Sequence, residues 1–318
     1  MKYALVTKHI WKDLLGDQLI KQGLYQWRQI FKGDVLDFNQ VTKDQLEQYD
    51  IVHVNLCTND VPVAITLGSV LKNTSVKLIV NVDYAVEMWD RMFTNVRQFL
   101  YALKSADFIF AVEPLQKQVL ELLMGTPIDL IPHPVDTKRL KEWCLPKDKR
   151  YDFILTMYHR YDMQKLVPSM ISRVAKTLQP IAVGVADEPL PKELYIMSGG
   201  MLAYYDYLRL LRICKIGVEY YSVHSHGRFA SECACLKVPL VSTNFSYNSV
   251  KFYPYTTKSP SDISSMALTI KRLYEDEAFY DKVIHTAYKR VEEHNWENSK
   301  KRLLSRLEDI KKGLSILF

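Results

Sequence analysis

The sequence predicts a chain of two α/β domains, each built on a parallel sheet. Three observations predict it. Short strand-like apolar runs alternate with helix-spaced segments along the chain, a proline-bearing polar stretch near the middle interrupts that alternation, and the alternation then restarts. At 318 residues the chain is long enough for two domains of ordinary size, each with its own core.

Residues 3–7 open the chain as a strand, residues 34–38 form a weaker second and residues 51–56 a third, with 76–82, 107–112 and 128–132 following. Between them Phe93, Val96, Leu100 and Leu103, and then Leu115, Val119, Leu122 and Leu123, recur three or four apart, the spacing of one helix face. The stretch Pro132-His133-Pro134-Val135-Asp136 continues neither element, because two prolines remove donors and fix φ. A short basic helix and the polar run Pro146-Lys147-Asp148-Lys149-Arg150 come next, so the domain boundary is expected between Pro132 and Arg150. Strands are then expected at 151–157, 180–185, 216–221 and 239–243, and helices at 165–178, 204–212 and 229–236. From Pro260 onward the chain reads as helical. It ends in a basic amphipathic stretch whose Leu303, Leu304, Leu307, Ile310 and Leu314 share a face.

Hydrophobic residues make up 48% and charged residues 25%, the balance of a globular chain rather than a disordered one. No apolar run approaches the ~20 residues of a membrane-spanning helix. The apolar stretch 3–6 precedes Lys8 and His9 and reads as a first strand, not a signal peptide. Both features place the protein in the cytoplasm by default. The five cysteines, Cys57, Cys144, Cys214, Cys233 and Cys235, form no C-x-x-C pair, which argues against a disulfide framework or a zinc site and for small buried hydrophobes. A net charge of +6 suits phosphate-bearing substrates, an anionic membrane surface or nucleic acid, and selects none of them.

Two segments carry chemistry. In His224-Ser-His-Gly-Arg-Phe-Ala-Ser-Glu232 a strand gives way to a turn at Gly227 and a helix beginning near Phe229. Gly227 lets the backbone approach a ligand closely, the first amides of the helix favour an anion, and Glu232, one turn in, can accept from a diol such as a ribose. A plain β-α turn with its glutamate in water fits the same residues. The second segment, Tyr158-His159-Arg160-Tyr-Asp-Met-Gln-Lys165, follows the first strand of the second domain, at the strand end where ligands bind parallel sheets. Arg160 offers a fork of donors and Lys165 a point charge, which together suit a diphosphate; two solvated surface cations are the alternative.

Taken with their surroundings, these segments resemble the retaining GT-B glycosyltransferases of the large family-4 type. Asp107-Phe-Ile-Phe-Ala-Val looks like the family's strand before the last helix of its first domain, and Ile131-Pro-His-Pro-Val-Asp136 like its interdomain segment. Arg160 and Lys165 match its phosphate-gripping pair, Ser231-Glu232-Cys-Ala-Cys-Leu-Lys-Val-Pro-Leu-Val its nucleotide-binding helix and strand, and His294-Asn-Trp296-Glu its tryptophan motif. The resemblance implies two Rossmann-like domains facing a cleft, with an acceptor domain over 1–140 and a donor domain over 141–295. A final helix over 296–318 crosses back to the first domain. It implies that Arg160, Lys165 and the amides around Gly227, Arg228 and Phe229 hold the donor diphosphate, that Glu232 binds the ribose, and that no metal is needed. It also departs from the family. His224 stands where the first of two motif glutamates belongs, Lys237 replaces a common glycine, and Lys8, His9 and Trp11 replace a glycine-rich loop. Asp83 stands where many members have a histidine, and faces either the transferred sugar or acceptor, or caps a helix. His224 and Asp83 are the candidate catalytic residues. His9, His53 and His226 are candidates for the cleft, and His133 and His159 weaker ones.

The implied function is transfer of a sugar from a nucleotide-sugar, a UDP- or GDP-sugar foremost, to an acceptor hydroxyl, with retention, in a hexosyltransferase-like reaction. The acceptor classes are a glycan, a lipid-linked glycan or a modified DNA base. Outside enzymology, a sugar-nucleotide-binding protein that lost turnover is motivated by His224. The C-terminal helix either packs across the domains or makes peripheral contact with an anionic membrane.

Overall fold

A computed structural model describes residues 1–8, 23–56, 60–89, 93, 95–157, 179–183, 195–196 and 204–311. The chain divides into two compact units: residues 1–135 with 294–318, and residues 136–293.

The first unit holds a parallel six-stranded sheet in the order β2-β1-β3-β4-β5-β6. The strands are β1 (Tyr3–Thr7), β2 (Asp34–Asp37), β3 (Ile51–Leu56), β4 (Lys77–Val82), β5 (Phe108–Ala111) and β6 (Asp129–Leu130). Strand side chains alternate between faces, which sorts the apolar residues into two cores. Val52, Val54, Leu56, Leu78, Val80 and Val82 lie in one core, together with Val63 and Leu67 of the helix Val61–Leu71 and Phe99 of the helix Val96–Lys104. Tyr3, Leu5, Ile51, Ile79, Phe108 and Phe110 lie in the other, with Trp27 and Phe31 of the helix Gly23–Phe31 and Leu303 and Leu307 of the helix Trp296–Lys311. The basic C-terminal helix therefore buries its apolar face in this unit. Trp296 Nε1 donates to Gln26 Oε1 at 2.7 Å across that contact. Leu314 lies outside the described residues.

The second unit holds β7 (Tyr151–Met157), β8 (Gln179–Val183), β9 (Tyr195–Ile196), β10 (Cys214–Val218), β11 (Leu240–Thr243) and β12 (Thr257–Lys258). Their order, β12-β11-β10-β7-β8-β9, reverses direction between β7 and β10. In open parallel sheets that reversal opens a crevice at the carboxyl ends of the strands, where ligands bind.

Several boundaries move. The helix expected to include Phe93 starts at Val96, because the Asn95 side chain accepts from the Gln98 amide and caps it; Phe93 instead stacks on Phe99 at 4.3 Å. β6 shrinks to two residues ahead of Pro132, and β10 ends at Val218 rather than Tyr221, leaving Glu219 beyond the strand. The expected helix 165–178 lies outside the described residues. Cys233 and Cys235 are fully buried thiols, and Cys57 is not among the described residues. Among those described, no helix is long and apolar enough to cross a membrane, and no three His, Cys, Asp or Glu residues gather as metal ligands.

Candidate functional site

At the β10 end of the second unit the chain passes from Glu219 through a turn to Gly227, then into the helix Arg228–Cys235. Gly227 adopts φ +78°, and a Cβ there would sit 2.1 Å from Ser246 Oγ, so glycine is required by both conformation and space. No side chain caps the helix. The turn is stitched instead to the loop after β11. Ser225 N donates to Phe245 O at 2.9 Å, Tyr247 N to Ser225 O at 2.9 Å, and Asn248 N to His226 O at 3.1 Å. The fully buried Asn248 side chain adds Nδ2 contacts to Gly227 O at 3.3 Å and Ser231 Oγ at 2.8 Å. Its fixed place behind the turn is what sets the direction of the helix's first amides.

Glu232 does not face water: only 2% of it is exposed. Its Oε1 accepts from Tyr204 Oη at 2.9 Å and lies 3.3 Å from Arg228 Nε, while Oε2 accepts from Tyr207 Oη at 2.6 Å. Burial first, and the nearby Glu232 charge second, raise both phenols well above their ordinary pKa, so they remain protonated donors. With about four acceptor positions on a carboxylate, one is left for a further hydroxyl. The tyrosines belong to the helix Tyr204–Ile213, three residues apart and so on one face. That i, i+3 pair was the only signal in the sequence, and it named no partner.

His224 lies beside Phe245, ring centroids 4.6 Å apart, and His226 beside Tyr247 at 6.4 Å. Phe229 is buried against Tyr207. Past the end of β10, buried Glu219 accepts at Oε2 from Ser242 Oγ and Ser249 Oγ, each at 3.1 Å, and burial raises its pKa to about 7. Tyr158, His159, Arg160 and Lys165 lie outside the described residues, as do His9 and Trp11.

In the first unit Asp83 follows β4, with its side chain 43% exposed. Among the described residues it caps no helix: the short turn Val86–Met88 has Ala85 at its N-cap. Asp83 accepts instead from Asn55 Nδ2 at 3.3 Å and His133 Nε2 at 3.2 Å. The carbonyl of the next residue, Tyr84, takes hydrogen bonds from Trp89 Nε1 and Gln116 Nε2, both 2.9 Å, so the backbone beside Asp83 is also held. His53, a candidate for the cleft, is fully buried instead, bonded to Tyr3 and Asn81, and burial lowers its pKa to about 3.

No protein-family model and no curated protein sequence matches the chain. Solved structures do. HepE of Anabaena in complex with UDP-glucose aligns with TM-score 0.71 at 12% identity, over 97% of this chain and 100% of that one. A trehalose-6-phosphate protein from E. coli bound with UDP-2-fluoro glucose aligns with TM-score 0.66 at 12% identity, over 96% and 99%. Sucrose-phosphate synthase from Thermosynechococcus elongatus aligns with TM-score 0.66 at 15% identity, over 98% and 99%. At these identities the likeness is one of fold.

Proposed function

We propose that this chain, whose fold is that of the GT-B proteins with two Rossmann-like units, is a glycosyltransferase that moves a sugar from a nucleoside-diphosphate donor to an acceptor hydroxyl. One observation carries the reading: an alignment over nearly the whole of both chains to a protein bound with UDP-glucose. The local chemistry supports it. The second unit presents an uncapped helix start behind a glycine turn, with a buried carboxylate one turn on, at the sheet edge where parallel folds bind nucleotides. UDP-sugars are the first donors to try and GDP-sugars the second.

In this mechanism Arg160, Lys165 and the amides of Gly227, Arg228 and Phe229 hold the diphosphate. Glu232 takes a ribose hydroxyl in its remaining acceptor position, and His224 borders the sugar. The bond from C1 to the diphosphate oxygen breaks and the bond from C1 to the acceptor oxygen forms. The acceptor proton passes to the departing phosphate oxygen, on the same face, so the configuration is retained. Positive groups and the helix start stabilise the leaving diphosphate. Asp83, on the first unit, receives and orients the acceptor hydroxyl. The acceptor is a glycan, a lipid-linked glycan or a modified DNA base.

A second reading has its own observation: Glu232 already holds two tyrosines and an arginine, which also suits a binding protein without turnover. The deciding experiment incubates purified protein with UDP- and GDP-sugars and the three acceptor classes, and follows nucleotide release and product mass. Transfer that disappears in Arg160→Ala supports the enzyme. Nucleotide binding without transfer or hydrolysis from any donor supports the second reading.

A further inference from the structure

The first unit contains a polar chain that crosses its core. Tyr3 Oη lies 2.6 Å from His53 Nδ1, His53 Nε2 lies 2.7 Å from Asn81 Oδ1, and Asn81 Nδ2 donates to Asn55 Oδ1 at 2.6 Å. Asn55 Nδ2 then donates to Asp83 Oδ2 at 3.3 Å. Strand alternation explains the assembly: residues 53 and 55 of β3 and residue 81 of β4 point to the same face as Tyr3, and Asn55 is paired directly opposite Asn81 in the ladder. Tyr3, His53 and Asn81 are 1%, 0% and 0% exposed, in a layer otherwise lined by Ile51, Ile79 and Phe110, where unpaired polar groups are costly.

The direction of the chain can be worked out. Asn81 Oδ1 has no hydrogen to give, so His53 Nε2 carries the proton and donates. A neutral His53 then has a bare Nδ1, which accepts from the Tyr3 hydroxyl. Its pKa of about 3 keeps the ring neutral at ordinary pH. Each group donates towards the next, and the last donor meets a carboxylate. His133, 6% exposed, approaches the other oxygen of Asp83 from beyond β6. A chain of aligned donors strengthens its terminal bond and fixes both the rotamer and the hydrogen-bonding sense of Asn55. Reversal at any link would present an acceptor to Asp83.

We propose that Tyr3, His53, Asn81 and Asn55 form a one-way hydrogen-bond chain that positions the Asp83 carboxylate, with His133 as a second support, so that the oxygen lone pairs left over face an acceptor hydroxyl. The chain is a positioning device, which rests on the glycosyltransferase reading above; none of its four members touches the reacting atoms.

Two measurements test it. Nitrogen-15 NMR of histidine-labelled full-length protein at pH 7 reports the tautomer of His53, assigned by loss of its signals in His53→Gln. The expected result is a protonated Nε2 and a bare Nδ1; a protonated Nδ1 or a charged ring overturns the chain. Sugar-transfer kinetics of Asn55→Ala, Asn81→Ala and Tyr3→Phe follow, each beside its melting temperature. The chain predicts that kcat falls most in Asn55→Ala, by more than tenfold, less in Asn81→Ala and least in Tyr3→Phe, with donor KM within twofold throughout. Stability ranks otherwise, with fully buried Asn81→Ala melting lowest. Losses of kcat that simply follow melting temperature, or that come with a raised donor KM, overturn the positioning role. Absence of transfer from every donor and acceptor removes the enzymatic reading and Asp83's role with it, whereas a reversed His53 tautomer removes the chain alone.

Discussion

Replacing Glu219 with glutamine should change how the second unit responds to pH. Glu219 is 1% exposed and its pKa rises from 4.5 to about 7 on folding, because burial disfavours the charged form more than the hydrogen bonds of Tyr221, Ser242, Ser249 and Ser246 favour it. Between those two values the folded state holds a proton that the unfolded state has released, so stability falls as pH rises and levels off above the folded pKa. A shift of this size corresponds to about 3 kcal/mol at about 1.4 kcal/mol per unit. Glutamine keeps the shape and an oxygen acceptor for Ser242 and Ser249 but cannot ionise. The assay is scanning calorimetry of both proteins at pH 4.5 and pH 8, comparing the difference between them so that titrations elsewhere cancel. Relative to Glu219→Gln, the wild-type second unit should lose about 3 kcal/mol on going from the lower to the higher pH. Parallel responses in the two proteins would refute the argument and mean that Glu219 is charged, with its burial compensated.

Other perturbations follow from the same contacts. The first unit should lose stability as pH falls from 6.5 towards about 3, because the folded state keeps His53 neutral while the unfolded chain takes up a proton; the drop should be on the order of 4–5 kcal/mol and should flatten in His53→Gln, checked by urea titration across that range. Gly227→Ala places a side chain at φ +78° and against Ser246 Oγ, so it should cost at least about 1–2 kcal/mol in the second unit and weaken nucleotide binding, measured by denaturation and calorimetric titration; an unchanged affinity would mean that the turn does not touch the donor. Tyr207→Phe frees a second position on Glu232 Oε2, the oxygen with the remaining acceptor position, and should lower the donor Kd by about 2- to 10-fold, as expected for loss of one competing hydrogen bond; unchanged affinity would mean that the ribose does not use that oxygen.

The sheets were legible because parallel strands covered by helices on both faces read as continuous apolar runs. The edge strands Tyr195–Ile196 and Thr257–Lys258 were not, since two residues carry no period. The helix Val61–Leu71 escaped notice because it is apolar nearly all round and leaves no polar face to mark its turn. In the candidate site, Gly227 and Glu232 were readable because their spacing is local. Their partners Tyr204, Tyr207, Asn248 and Ser246 come from other elements, and nothing in the order of residues reports that the helix Tyr204–Ile213 leans on Glu232. The same holds for Asp83. Its position after a strand was visible, but Asn55 and His133 reach it, and Asn81 reaches Asn55, only once the neighbouring strands lie in register. His53 reads from the sequence as a candidate for the cleft because loops after parallel strands gather there; its place within β3, two residues from Asn55 on the same face, puts it in the core instead.

The central claim, a nucleotide-sugar donor site in the second unit, is tested most directly by isothermal titration of the purified protein with UDP, UDP-glucose, GDP and GDP-mannose. The expected result is saturable binding of one nucleotide family, lost in Arg160→Ala and in Glu232→Ala while both variants keep their folded melting transitions. Absence of binding by every nucleotide, or binding untouched by both substitutions, would contradict it.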